Sequence, residues 1–213
     1  MNRDRSLGTR LARGLAAAVL GVLAQSALAG DERLLETIAA QLDTAPVVVA
    51  EFTQTRRISG LNQPVVSSGQ VVFARGRGLV WQIERPIRHA YVFSAQGLTE
   101  VDAKGERRSR TSGQAGGVAE GARVFDALLR GDLIALREHF EVEVQGPREA
   151  WTAQLRPRRA EVASALRVLT IKGGRELREI ALTETSGDLS HIALRVARRG
   201  DALAPAEAQL FGP

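Results

Sequence analysis

From Pro46 onward the chain exchanges a helical hydrophobic period for a period of two, and it keeps that period through most of its remaining length. Val47 to Ile58, Val65 to Ala74, Gly78 to Ile83 and His89 to Ser94 read as strands. The breaks between them are too short for a crossover helix, so consecutive strands must run antiparallel as a meander. A weaker strand follows from Leu98 to Ala103, and a second set comprises Phe140 to Val144, Trp151 to Arg156, Leu166 to Lys172, Leu177 to Glu184 and Ser190 to Val196. Gly76-Arg77-Gly78, Gly173-Gly174 and Ser186-Gly187-Asp188 are hairpin signals between these segments.

Helical spacing occurs in two places. Leu34, Leu35, Ile38, Ala39 and Leu42 form an apolar stripe behind Asp31, which suits an N-cap. Val118, Val124, Phe125, Leu128 and Leu129 form another, restarted after Gly131 by Asp132 ahead of Leu133, Ile134 and Leu136. Lys104 to Gly117 is polar and is expected to be a mobile surface loop. Roughly nine strands with an N-terminal and a mid-chain helical insertion predict a mainly β, α+β fold. Its core would be a strongly curved antiparallel sheet or unclosed β-barrel, with a helical lid covering one side.

At the N-terminus Arg3, Arg5, Arg10 and Arg13 precede an apolar run from Leu15 to Leu23 that ends in Ala27-Leu28-Ala29. This is the pattern of a cleavable secretory signal. As a helix the run covers about 15 Å, half of the roughly 30 Å hydrocarbon layer, so a permanent span is the weaker reading. Residues 1–29 are expected to be removed and residues 30–213 to form one soluble domain in the periplasm. Gly30 offers no thiol for lipidation, and the arginines are not adjacent as a twin-arginine signal requires.

The sequence has no cysteine, which excludes disulfides, thiol nucleophiles and thiolate metal sites. Removing residues 1–29, with four arginines and one aspartate, lowers the net charge from +5 to +2. Neither that charge nor an aromatic content of 4% favours nucleic acid. His89, His139 and His191 lack ligand spacing, so no metal is expected, and no cofactor motif appears. No Gly-x-Ser-x-Gly elbow marks a nucleophile, so the chain reads as a non-enzyme. The clusters Arg107, Arg108, Arg110 and Arg156, Arg158, Arg159 read as solvated charge, with anionic head groups or an acidic protein face as the competing use.

Ala50-Glu51-Phe52-Thr53-Gln54, then Gly69 to Trp81, then Arg85-Pro86, resemble the periplasmic lipoprotein carrier family LolA. The order helix, meander, helices, sheet fits the same family across most of the chain. The resemblance implies an unclosed β-barrel with a helical lid over an apolar cavity for acyl chains. It places Arg75 on the family's functional arginine, which holds the lid shut, Leu79 on a phenylalanine that receives cargo, and Trp81 on the family's tryptophan. Phe52 and Phe73 join them as ligand or lid residues, whereas Arg77, on the turn itself, is expected to matter little. Gly76 stands where the family has proline, and the family's C-terminal Phe-x-Phe-x-Pro-Pro-x-Gly pattern is missing.

The implied function is that of a divergent, monomeric periplasmic carrier, shuttling an acylated lipoprotein or lipid-like cargo from an inner-membrane export complex toward an outer-membrane acceptor. A sensor or scaffold domain of the same fold, binding a protein partner through the same face, stays open beside it.

Overall fold

The computed structural model describes residues 34–41, 45–95, 97–110, 127 and 133–212. The expected signal at residues 1–29 and, apart from Ala127, the helix expected around Val118 to Leu129 lie outside the described residues. Among the described residues eleven strands form one antiparallel sheet: β1 (Val47–Arg57), β2 (Val65–Ala74), β3 (Gly78–Arg85), β4 (His89–Ser94), β5 (Gly97–Val101), β6 (Arg107–Arg110), β7 (Phe140–Gln145), β8 (Trp151–Pro157), β9 (Leu166–Gly173), β10 (Leu177–Glu184) and β11 (Leu189–Gly200). Their spatial order is β6-β5-β4-β3-β2-β1-β11-β10-β9-β8-β7. Two meanders therefore meet at a seam where the first strand pairs with the last, Val47 opposite Gly200 and Arg57 opposite Leu189. Strands β6 and β7 are the two edges, so the sheet is not closed into a barrel.

Among the described residues, helical segments accompany the sheet at α1 (residues 34–41), α2 (Leu133–His139), α3 (Ala160–Ala163) and α4 (Pro205–Leu210), and Ala127 is helical as well. None of the described helices is long and apolar enough to cross a membrane.

The side-chain period of a strand sorts the sheet into two faces. Val48, Phe52, Val71, Phe73 and Leu79 on one wing and Phe140, Val144, Trp151, Leu155 and Ile171 on the other belong to one buried cluster with Leu35 and Ile38 of α1 and Leu136 of α2. In a flat sheet, β3 and β7 would stand about 34 Å apart at about 4.8 Å per strand. Residues of both wings nonetheless share one buried cluster, so sheet twist and curl bring the wings around it.

Opposite this inner face, Val47, Val49, Val72, Ala74, Val80 and Val92 form a second cluster with Leu203, Leu210 and Phe211. Helix α4 thus covers the outer face of β1 to β4, a cover that the expected one-sided arrangement lacked. It explains why Val47–Ala50 and Val71–Ala74 are buried at every position instead of alternately.

One expectation is corrected. Within the stretch read as a loop, Arg107–Arg110 pairs with β5 in the register Val101 opposite Arg107 and Leu98 opposite Arg110. An arginine-rich edge strand shows no apolar alternation, and charge on an edge is a means of blocking further pairing.

Candidate functional site

The expected ligand residues occupy adjacent positions on the inner face of β1, β2 and β3. Phe73 lies opposite Leu79, and Val71 opposite Trp81, across the β2–β3 hairpin. Phe52 lies opposite Gly69 on β2. The ring of Trp81 packs on Phe52, with centroids 4.4 Å apart and planes tilted by 37°, while Gly69 lets the β3 backbone approach closely, since an added Cβ would stand 1.9 Å from Gln82 O. Phe52, Phe73 and Leu79 are buried, and Trp81 is half-buried against them.

The wall continues onto β4, where Tyr91 lies opposite Trp81 and Phe93 opposite Leu79. His89 meets the Tyr91 ring edge-on at 4.6 Å, and its Nε2 is buried without a hydrogen-bond partner among the described residues. The surface offers a ligand apolar area, aromatic edges and one buried ring nitrogen.

Leu35 and Ile38 of α1 and Leu136 of α2 belong to the same buried cluster as Phe52, Phe73 and Leu79. Helix α1 is fastened at one end, where Gln41 Nε2 donates to the carbonyl oxygens of Gly174, at 2.7 Å, and Arg148, at 3.1 Å. Trp151 Nε1 donates to the same Gly174 oxygen at 3.0 Å. Gly173, where an added Cβ would come within 2.5 Å of the Trp151 ring, lets that ring lie flat beneath the fastening. Sequence reasoning did not find Gln41, because its partners lie in turns more than a hundred residues away.

Arg75 stands apart from the four apolar residues. It begins the β2–β3 turn, is exposed, and donates its backbone N–H to Pro46 O at 2.8 Å, next to the start of β1. The guanidinium of its neighbour Arg77 lies 5.1 Å from the centroid of the Phe211 ring. Two further arginines hold the same C-terminal segment. Arg107 donates to Phe211 O at 3.0 Å and Leu210 O at 3.5 Å, and Arg198 pairs with Glu207. Burial opposes the charge on Glu207, but hydrogen bonds from Arg198 and from the Ala204 N–H outweigh it, helped by the Arg198 charge. Its carboxyl is held below the ordinary value.

Several of the remaining nominated residues have partners within the protein. Arg108 pairs with Glu106, Arg156 with Glu143 and Arg159 with Glu161, while Arg158 donates to the carbonyls of Arg137 and Phe140. His191 lies 3.5 Å from Glu179, which also pairs with Lys172. Among the described residues no group of three or more histidine or acidic side chains could hold a metal ion.

The family described as outer membrane lipoprotein carrier protein LolA-like matches residues 21–210. A LolA superfamily protein from Nitrosomonas europaea is similar in structure, with a TM-score of 0.50 at 10% identity over 86% of this chain and 97% of that one. A DUF1329 family protein from Desulfovibrio piger gives a TM-score of 0.48 at 11% identity over 84% and 95%. A chain of the MucA/MucB complex of Pseudomonas aeruginosa gives 0.38 at 14% identity over 85% and 60%. No curated protein matches.

Proposed function

The chain belongs to the LolA-like family of outer membrane lipoprotein carrier proteins, and from that premise we propose that it is a periplasmic carrier whose inner sheet face receives the acyl chains of a lipoprotein or lipid-like cargo. The observation that carries this reading is the inner face itself. Phe52, Phe73, Leu79 and Trp81 line a broad apolar wall that shares one cluster with side chains of α1 and α2, and α1 is fastened by two side-chain hydrogen bonds. Burying one acyl chain of about fifteen methylenes contributes on the order of 12 kcal/mol, too much for ready release unless something takes the cargo's place. Leu35, Ile38 and Leu136 do so in the empty protein, and their return to the sheet offsets most of that energy.

In this reading residues 1–29 direct export and are removed, and residues 30–213 act as one domain without enzymatic activity. Cargo passes from an inner-membrane complex to an outer-membrane acceptor. Arg75 serves as a lid latch, because a planar guanidinium at the turn can donate several hydrogen bonds to carbonyls of a covering segment, which a lysine ammonium matches poorly.

The test is native mass spectrometry of protein harvested from its own periplasm, together with titration of a fluorescent fatty acid. A co-purifying lipid and saturable binding are expected. Arg75→Leu should leave bound cargo in place while slowing its transfer to acceptor vesicles several-fold. If no lipid co-purifies and the wild type does not bind the probe, the carrier reading fails and the scaffold alternative replaces it.

A further inference from the structure

We propose that the end of the sheet formed by the β1–β2, β3–β4 and β10–β11 connections docks onto an anionic lipid surface. Among the described residues the exposed large apolar side chains are Leu61, Val65, Val66, Ile87 and Leu189, and all five lie at this one end. Their positions follow from the strand register. Val65 and Val66 begin β2 opposite Arg56 and Thr55, and Leu189 begins β11 opposite Arg57. Leu61 sits in the connection between β1 and β2, and Ile87 in the connection after β3. Strands β4, β3, β2, β1 and β11 are consecutive neighbours in the sheet. The tips therefore form one continuous rim about 20 Å wide.

Burying an apolar side chain is the default in a folded domain, and a cluster of exposed ones marks a surface that something else covers. Ile87 is 71% exposed and Leu61 56%. Both stand in loops, where a side chain can enter a bilayer interface without moving the sheet. The opposite end, with the turns at residues 75–77, 146–150 and 174–176, exposes no large apolar side chain among the described residues.

Charge selects lipid as the occupant. Arg57, Arg85 and Arg88 flank the five apolar side chains and are exposed. Glu184 and Asp188 share one partner, Arg56, at 3.1 Å, so that group keeps one negative charge in excess. Asp188 also accepts the Ser59 N–H at 2.9 Å. With Glu84 on β3, the tips carry four arginines, Arg56 included, against three acids, a net charge of +1. Apolar tips ringed by a net positive charge match the interface of a membrane that contains anionic lipid. The basic clusters nominated by the sequence do not compete for this role, because their described members are paired within the protein. Docking here does not require the inner face to hold cargo, so it stands or falls apart from the carrier reading.

The experiment is co-sedimentation of the protein, expressed from its full sequence and harvested as the cell processes it, with phosphatidylcholine vesicles with or without phosphatidylglycerol. The wild type should partition onto the anionic vesicles and only weakly onto pure phosphatidylcholine. Combining Leu61→Ser, Ile87→Ser and Leu189→Ser should lower partitioning at least about ten-fold on anionic vesicles. Arg57→Gln and Arg88→Gln should lower it about five-fold each on anionic vesicles and leave pure phosphatidylcholine unaffected.

Because the sequence has no cysteine, a polarity-sensitive dye can be attached at Ile87→Cys or, at the opposite end, Ala150→Cys. Only the first should shift to the blue when vesicles are added. A wild type that stays in the supernatant, a triple variant that binds as the wild type does, or equal shifts at both labels would overturn the proposal. Dimerisation without lipid that the triple variant abolishes, with no vesicle binding by the wild type, would assign the rim to a second copy and overturn it equally.

Discussion

Whether α1 is a movable cover or a fixed part of the core can be decided at Ile38. This side chain is 2% exposed and belongs to the inner-face cluster. Ile38→Ala removes three carbons worth about 0.8 kcal/mol each, and the cavity left behind raises the cost to about 2–4 kcal/mol. If cargo displaces α1, only the empty, closed state loses that energy, and the difference appears as tighter binding. At about 1.4 kcal/mol per factor of ten, affinity for a fluorescent fatty acid should rise by roughly 30-fold or more. Gln41→Ala, which removes the hydrogen bonds to Gly174 and Arg148, should act in the same direction by about five-fold. Ile171→Ala is the control, because Ile171 is equally buried but sits on β9, which is present in both states. It should lower the denaturation midpoint without raising affinity. Should Ile38→Ala lose stability and leave probe affinity unchanged, α1 does not move, and the reasoning behind a lid is refuted.

Two further outcomes follow from local geometry. Gly78 has φ +116°, and an added Cβ would stand 1.9 Å from Phe93 O, whereas Gly76, at φ +78°, faces open space. In chemical denaturation Gly76→Ala should cost about 1–2 kcal/mol and Gly78→Ala distinctly more, because there backbone strain is joined by a collision with β4. Glu207 is held below its ordinary pKa, so its contribution is present at neutral pH and disappears as pH falls through and below the carboxylate range near 4. With Arg198 38% exposed, the pair should contribute about 1 kcal/mol, and Glu207→Gln should flatten the acid limb of the stability curve.

Much of this architecture is legible in the sequence wherever contacts are local. The β2–β3 hairpin is written in Gly76-Arg77-Gly78, and the alternation through Phe52, Phe73, Leu79 and Trp81 puts those residues on one face once the register is known. Strand β6 is not legible, because Arg107 to Arg110 carries no apolar alternation and becomes a strand only by pairing with β5. Helix α4 is hidden by its brevity, although the unbroken apolar runs Val47–Ala50 and Val71–Ala74 signal that both faces are covered. The links that fasten the covers, Gln41 to Gly174 and Arg107 to Phe211, join residues far apart along the chain. No spacing rule reaches that far. The rim of Leu61, Ile87 and Leu189 likewise becomes a single feature only after three connections are brought side by side.

The pairing of β1 with β11 dictates when the molecule can finish folding. Each meander can form from neighbouring strands as soon as its own residues are available, but the seam between them needs the first and last strands together. A chain delivered N-terminus first exposes the β11-facing edge of β1 until nearly all of its length is available. Long-range pairings of this kind slow folding and leave an unpaired edge open to association. The half-formed sheet is therefore the species that a holding chaperone would have to protect, and a shortened chain that stops before Leu189 should accumulate in that state.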